Sequence, residues 1–332
     1  MNRKFLTTAA IVCLLTSCSF STPFEQMFDE IDRNGMDGAK KVVAKGDAWK
    51  HVRRESKLCK GGIGLMESLL LNDCISLKVA RYLVEQGAEL CEFDDPYTAS
   101  VCLNAITSRT WENPVYPRYY SPEEIIETLD CAIEHGAVVG TFPSGRSPLS
   151  DSYNAKVAEY WLAKGLNPMD EWEKDTGDAV QEGISLMSKK YSPLANAASY
   201  NFLDVFKLYV DAVGFDKLTE KDKGCLLFYT LTDCAIIARG YQKAKIEYLI
   251  QLGLDPTKYK DKYGRSVMEL IADEDYSILK RAWQRDVLEK YIEEHGKARE
   301  EDMIQLPIWF ESDTVMMIKY KIPSQTPGYS KR

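Results

Sequence analysis

The sequence predicts an all-α fold in which helical repeats stack into a solenoid, with a small extended cap near the C-terminus. Three observations predict it. Apolar helices that end at a glycine recur along the chain, short polar openings precede several of them, and the pattern changes after residue 285. A non-repetitive all-α domain whose helices happen to end at glycine remains the alternative.

The N-terminal segment has the character of a secretory signal. Arg3 and Lys4 give a positive start, and Phe5 to Leu15 is mostly apolar. About eleven residues is too short to span a bilayer, which takes roughly 20. A positive start, a short apolar stretch and small residues before a cleavage site are typical of exported proteins.

The end of this segment carries a more specific motif. Leu15-Thr16-Ser17-Cys18 resembles the lipobox of bacterial lipoproteins. The resemblance implies that residues 1–17 are removed, that Cys18 carries a lipid such as palmitate, and that residues 18–23 form a tether. In this family an Asp directly after the lipid-modified cysteine retains the protein at the inner membrane. This chain has Ser19 there, so the resemblance implies that the protein lies at the outer membrane and faces the periplasm. An ordinary signal peptide with Cys18 near the cut is the alternative.

Composition excludes a nucleic-acid partner. Loss of Arg3 and Lys4 lowers the 42 lysines and arginines to 40, against 50 acidic residues, which gives a formal charge of −10. Binding to a phosphate backbone needs clustered positive charge. An acidic body instead suits a basic partner or a well-solvated surface.

Seven cysteines remain besides Cys18. They are Cys59, Cys74, Cys91, Cys102, Cys131, Cys225 and Cys234. Export permits disulfides, but an odd number leaves at least one thiol unpaired within the chain. If Cys225 and Cys234 share a helix, about 13 Å separates them, which is too far to bridge. Cys91 with Cys102 is easier, and buried thiols that pack as small apolar residues are the alternative.

Six segments repeat one pattern, an apolar helical face followed by a glycine. They are Ala39–Gly46, Val79–Ala88, Thr128–Ala137, Ala158–Pro168, Phe206–Asp216 and Ile246–Pro256. Apolar residues recur at three- and four-residue steps, as one buried helical face requires. The glycine predicts a helix stop, since glycine takes the left-handed cap conformation at little steric cost.

A second element precedes or follows some of these helices. Ser192-Pro193-Leu194, Ser147-Pro148-Leu149 and Gly264-Arg265-Ser266 each read as a helix opening, with a hydroxyl cap and a first-turn residue. Together with the glycine stops, these residues resemble ankyrin repeats. The resemblance implies that residues 24–300 form a repeat solenoid that recognises proteins through its concave face and loop tips.

The repeats are irregular. The six predicted stops lie 41, 49, 29, 49 and 39 residues apart, where ankyrin repeats recur about every 33. The unit that ends at Gly165 is short, and the long intervals contain inserts at about 109–122 and 169–190.

The C-terminal region departs from the pattern. Ala282 to Ile292 predicts a helix that ends near Gly296. Leu306 to Phe310 and Thr314 to Ile322 predict short extended segments, and a solenoid end needs such a cover. Residues 301–332 are therefore expected to form a cap and a tail, disordered from Pro323 onwards.

No catalytic residue, metal site or cofactor is predicted. The three histidines lie far apart, and His135 precedes a glycine stop, where an imidazole suits the helix C-terminus. Motifs for a nucleophile elbow, a phosphate loop or a zinc ribbon are absent from the sequence. Asp32 to Gly38 lacks the calcium ligands that its spacing would require, and predicts a turn before the first repeat helix.

Two inserts are the candidate binding segments. The first carries Trp111, Tyr116, Arg118, Tyr119 and Tyr120 between two prolines. Tyr, Trp and Arg often dominate interfaces, although these rings could instead fold back over the solenoid. The second insert is acidic around Trp172, which suits a basic partner or a solvated loop.

The sequence thus predicts a lipid-anchored periplasmic module that binds another protein, as an envelope scaffold or accessory protein, and that is not an enzyme. One alternative is an immunity-type protein that neutralises a toxin in the periplasm. An alternative of another class is an envelope hydrolase with a cryptic site.

Overall fold

The computed structural model is predominantly helical, which confirms the predicted all-α class. It describes residues 22–55, 63–72, 74–90, 98–110, 120–139, 147–170, 172–173, 184–187, 190–231, 241–272 and 282–312. Within these ranges it contains twelve α-helices and eight short strands. None of these helices is both long and apolar enough to cross a membrane.

The helices and strands have the following bounds. The α-helices are α1 (Pro23–Ala44), α2 (Leu65–Leu71), α3 (Leu77–Glu85), α4 (Thr98–Thr107), α5 (Pro122–Glu134), α6 (Ala155–Ala163), α7 (Pro193–Tyr200), α8 (Leu203–Val213), α9 (Glu220–Thr230), α10 (Tyr241–Gln251), α11 (Val267–Ala272) and α12 (Ala282–His295). The strands are β1 (Arg53–Arg54), β2 (Ile63–Gly64), β3 (Trp172–Glu173), β4 (Ile184–Met187), β5 (Lys190–Tyr191), β6 (Tyr259–Lys260), β7 (Ile304–Gln305) and β8 (Trp309–Ser312). Short 3-10 helices occupy Asp47–His51, Ser108–Thr110, Pro148–Asp151, Phe215–Lys217 and Glu300–Asp302.

The chain divides into two compact units. The first contains the described residues up to Ile106 together with Glu123–Val138. The second contains those of Thr107–Pro122 and those from Val139 onwards.

In the first unit, α1 is two helical halves joined at Gly35. This residue has φ 53° and ψ −123°, far from helical values. The halves pack closely, because the Lys41 ammonium lies 3.1 Å from the Glu30 carboxylate and a Cβ at Gly38 would overlap the Glu30 carbonyl. Gly35 provides the turn that the sequence predicted before the first repeat helix.

In the second unit, helical pairs follow one another and contact their neighbours. The pairs are Pro148–Asp151 with α6, α7 with α8, α9 with α10, and α11 with α12. The second helices contact in series, α6 with α8, α8 with α10 and α10 with α12. The first helices do the same from Pro148–Asp151 to α7 and from α7 to α9. Contacts between successive neighbours are typical of repeat arrays.

The predicted glycine stops are confirmed. Each lies one or two residues beyond a helix end and has a positive φ, and a further one ends α12. These glycines are Gly46, Gly87, Gly136, Gly165, Gly214, Gly253 and Gly296.

The predicted helix openings are confirmed at two of three places. The Ser192 hydroxyl accepts from the Ala195 N–H at 3.1 Å ahead of α7. Ser266 and Glu269 cap α11 reciprocally, at 3.3 and 2.6 Å. Ser147, however, makes no cap and opens only a 3-10 helix, and Asn154 caps the helix that follows.

Side chains from α7 and α8 complete the short Pro148–Asp151 element. The carbonyls of this short element are buried, and a buried carbonyl without a hydrogen-bond partner costs free energy. The donors are Tyr209 to the Leu149 carbonyl, Asn196 to that of Ser150 and Asn201 to that of Ser152, each at 2.7 Å. This short segment is therefore bonded to the next helical pair through three of its carbonyls.

A buried lysine joins α10 to the end of α7. The Lys245 side chain is fully buried, and its ammonium donates to the carbonyls of Ala197 at 2.8 Å and Ala198 at 3.0 Å. Gln242 donates to the Ser199 carbonyl at 2.9 Å. The last carbonyls of a helix lack partners within it, and these two side chains of α10 supply them. Burial lowers the pKa of Lys245 to about 7.

The strands form short two-stranded pairings. β6 and β7 are parallel, and β4 and β8 are antiparallel, with Met187 opposite Trp309. Of the extended segment expected at 306–310, only Trp309 and Phe310 lie in a strand, β8, and Thr314–Ile322 lies outside the described residues. Among the described cysteines, Cys131 and Cys225 carry free thiols, so Cys225 does not pair with Cys234.

Candidate functional site

Most of the binding residues predicted from the sequence lie outside the described residues. They are Cys18, Trp111, Tyr116, Arg118 and Tyr119. Tyr120 is half-buried just before α5. Trp172 lies in β3, where its backbone pairs with that of Tyr191. The aromatic interface therefore stays a prediction.

The candidate site is a groove among the described residues of the second unit. We call it the acidic groove. It has a volume of about 700 Å³, within the usual range for ligand sites. It is lined by the ends of α8 and α10, the Phe215–Lys217 turn, the start of α9 and the chain that leads into β6: Asp211, Gly214, Phe215, Asp216, Glu220, Lys223, Leu252, Gly253, Leu254, Asp255, Lys258 and Tyr259.

Two consecutive glycine stops position the groove. The chain turns at Gly214 and again at Gly253, and each turn places an aspartate two residues later, Asp216 and Asp255. Because α8 contacts α10, the two turns lie on one side of adjacent helical pairs. Two of the four acids of the groove, Asp216 and Asp255, thus come from equivalent positions in successive pairs.

Two side chains hold the Glu220 carboxylate in place. Lys223 donates to its carboxylate at 2.8 Å, and the Tyr259 hydroxyl donates at 3.2 Å. The hydrogen bond from Lys223 holds the pKa of Glu220 below its ordinary value, and Tyr259 adds to the effect. Glu220 is therefore ionised under neutral conditions.

Tyr259 forms the floor beside Glu220. Only 1% of it is exposed, and burial together with the Glu220 carboxylate raises its pKa well above the ordinary value. Its ring packs on Gly224 of α9, where a Cβ would overlap it and would approach Leu306 within 2.9 Å. A side chain at position 224 would displace this floor.

Asp211 forms another wall, on the last turn of α8. It accepts a hydrogen bond from the Tyr248 hydroxyl at 2.7 Å. Burial and this carboxylate raise the pKa of Tyr248 to about 12. The Lys207 ammonium lies 4.9 Å from the centre of the Tyr248 ring, a cation–π contact that helps to hold this ring in place.

Apolar side chains complete the lining. Leu252 is 37% exposed, and the Lys223 ammonium lies 5.2 Å from the centre of the Phe215 ring. The groove thus offers four carboxylates, two ammonium groups and an apolar surface. Such a lining suits a chain segment with basic and apolar side chains better than a small neutral ligand.

A second, much smaller cavity lies in the first unit. Its volume is about 10 Å³, the size of one water molecule. Glu67 is buried there and accepts from the Gly64 N–H at 2.8 Å, and burial raises its pKa. The buried Trp49 indole N–H has no hydrogen-bond partner among the described residues. This cavity has no room for a larger ligand.

The histidines hold structural positions. His135 follows α5, and its Nδ1 lies 2.8 Å from the Cys131 carbonyl, as the sequence predicted for a helix end. His295 makes the equivalent contact with Tyr291 at 3.1 Å, and His51 lies against Glu89. Within the described ranges, no three His, Cys, Asp or Glu side chains are grouped to hold a metal.

Sequence reasoning missed the acidic groove, although a signal for it existed. One pattern, a glycine followed two residues later by an aspartate, occurs after two successive helices, in Gly214-Phe215-Asp216 and in Gly253-Leu254-Asp255. Equivalent residues of neighbouring repeats lie side by side, so this pattern predicts adjacent carboxylates.

No protein-family model matches the chain, and no curated protein is detectably similar to it.

Proposed function

We propose that the protein is a lipid-anchored module of ankyrin-like repeats that binds a basic segment of a partner protein in its acidic groove. The attachment rests on the lipobox resemblance at Cys18, and the periplasmic face of the outer membrane follows from Ser19. The successive helical pairs and their glycine stops support the repeat assignment. The module itself is proposed to have no catalytic activity.

The observation that carries the proposal is the groove's charge and shape. The groove is large enough for several side chains, and its lining has four acidic side chains against two basic ones. The acids are Asp211, Asp216, Glu220 and Asp255, and the bases are Lys223 and Lys258. Complementary charge speeds encounter and excludes wrong partners more than it strengthens binding. The exposed Leu252 adds an apolar contact beside the charges.

The test uses short labelled peptides and measures their binding by fluorescence anisotropy at low salt. A peptide of alternating lysine and serine is expected to bind, and one of alternating glutamate and serine is not. Added salt should weaken the binding, because it screens exposed charges.

The groove variant is Asp216→Asn with Glu220→Gln. An exposed ion pair contributes about 0.2–1 kcal/mol, so the loss of two carboxylates should weaken binding roughly 2- to 30-fold. The matched control is Asp286→Asn with Glu293→Gln on α12, which changes the net charge equally outside the groove. Equal weakening by both pairs would show that net charge alone attracts the peptide, and would refute the groove as the binding site.

A further inference from the structure

The chain itself contains a segment that fits the acidic groove. Residues 314–332 contain Lys319, Lys321, Lys331 and Arg332 and no acidic residue. The segment also has the apolar run Val315–Ile318 and two tyrosines. Basic and apolar side chains are what the groove's carboxylates and apolar lining would bind.

The segment follows a part of the chain that is hydrogen-bonded to the wall of the groove. The Ile304 N–H donates to the carbonyl of Lys258, a lining residue, at 2.7 Å, and Leu306 donates to Lys260 at 2.8 Å. β8 ends at Ser312, eight residues beyond Ile304. Eight residues span at most about 29 Å, so the segment starts within that distance of the wall.

The segment is long enough to return. Fully extended, residues 314–332 span about 65 Å, more than twice the greatest distance from Ser312 back to Ile304. The groove therefore lies within reach of Lys331 and Arg332. Covalent connection at this distance gives an effective concentration of about 1 mM.

We propose that residues 314–332 occupy the acidic groove of their own chain, so that a partner protein binds only by displacing them. The proposal rests on the proposed function, since it assigns an internal competitor to the same groove. An affinity of about 100 µM for the free peptide would leave the groove about nine-tenths occupied at that effective concentration. The consequence is an autoinhibited module whose apparent affinity for a partner is about tenfold weaker than the groove's own.

The test compares mature chains, residues 18–332, in detergent. The tail-neutral variant replaces four basic residues: Lys319→Gln, Lys321→Gln, Lys331→Gln and Arg332→Gln. The matched control replaces four exposed lysines that do not line the groove: Lys40→Gln, Lys45→Gln, Lys290→Gln and Lys297→Gln. The probe is a labelled peptide with the sequence of residues 314–332.

The tail-neutral variant should bind the probe about tenfold more tightly than the wild type, and the control should match the wild type. Asp216→Asn with Glu220→Gln in the tail-neutral chain should weaken this binding. Equal affinities of the wild type and the tail-neutral variant would overturn the proposal, as would binding that ignores the groove substitutions. A dimer by sedimentation that the tail-neutral substitutions dissociate would place the segment on a second copy, and would also overturn it.

The lysine–serine peptide, titrated into the same tail-neutral chain, separates the two proposals. If this peptide binds through the groove and the probe does not, the internal competitor is refuted and the proposed function stands. If neither binds, both are refuted.

Discussion

Lys245 makes the stability of the second unit depend on pH. The lysine is fully buried between α10 and the end of α7, and burial lowers its pKa from 10.5 to about 7. The unfolded chain therefore binds a proton that the folded chain releases between these two values. Stability is greatest above the unfolded pKa and falls as the pH falls towards 7.

The magnitude follows from the two pKa values. Each pKa unit corresponds to about 1.36 kcal/mol, so moving from pH 9 to pH 7 should cost about 2 kcal/mol of unfolding free energy through this group alone. Lys245→Met removes that dependence, while leaving the Ala198 carbonyl without its partner at every pH. The difference in stability between the wild type and the variant should thus grow by about 2 kcal/mol from pH 7 to pH 9.

Urea unfolding at both pH values measures this difference directly. Lys243→Met is the matched control, because Lys243 lies on the same helix with its side chain about half exposed, 3.8 Å from Glu247. Its difference from the wild type should not change with pH. An equal pH response of the wild type and Lys245→Met would refute the reasoning, since the lysine would then keep its proton throughout this range.

Three further predictions concern the repeats, the anchor and the aromatic insert. Gly253→Val should lower the unfolding free energy by roughly 1 kcal/mol or more, because Gly253 has φ +93° and open space around it, so the cost is backbone strain; an unchanged denaturation midpoint would contradict this. Cys18→Ala should move the protein out of the membrane fraction and abolish palmitate labelling; equal label in both proteins would exclude the lipoprotein assignment. If the aromatic insert is an interface, replacing Trp111, Tyr116 and Tyr119 with Ala should abolish partner capture and leave the melting temperature within a few degrees. Normal capture with a loss of several kcal/mol would instead show that these rings cover the core.

The helix ends could be predicted from the sequence because they depend on neighbouring residues. A glycine after an apolar helix, as at Gly165 or Gly253, determines the stop through its own backbone freedom. Ser192 and Pro193 determine the start of α7 in the same local way. Such signals need no knowledge of the rest of the fold.

The remaining features depend on contacts between distant residues. The helices α2, α4 and α9 have no Ser-Pro opening, whereas the helices that end at the glycine stops gave the clearer pattern. The Pro148–Asp151 element relies on Tyr209, sixty residues later, to bond its Leu149 carbonyl. The acidic groove needs the turns after α8 and α10 to be neighbours, which only the packing of those helices establishes.

The pairing of β4 with β8 bears on how the chain folds as it is made. Helical pairs can form as soon as their own residues are available, whereas Met187 must wait for Trp309, after roughly 120 intervening residues. The length-dependent entropy of closing such a loop is about 4 kcal/mol, so this pairing becomes favourable only once the intervening helices are packed. Until then Ile184–Met187 is an open strand edge, which favours pairing with other chains. The interval before this pairing forms is therefore one in which the chain is prone to aggregate.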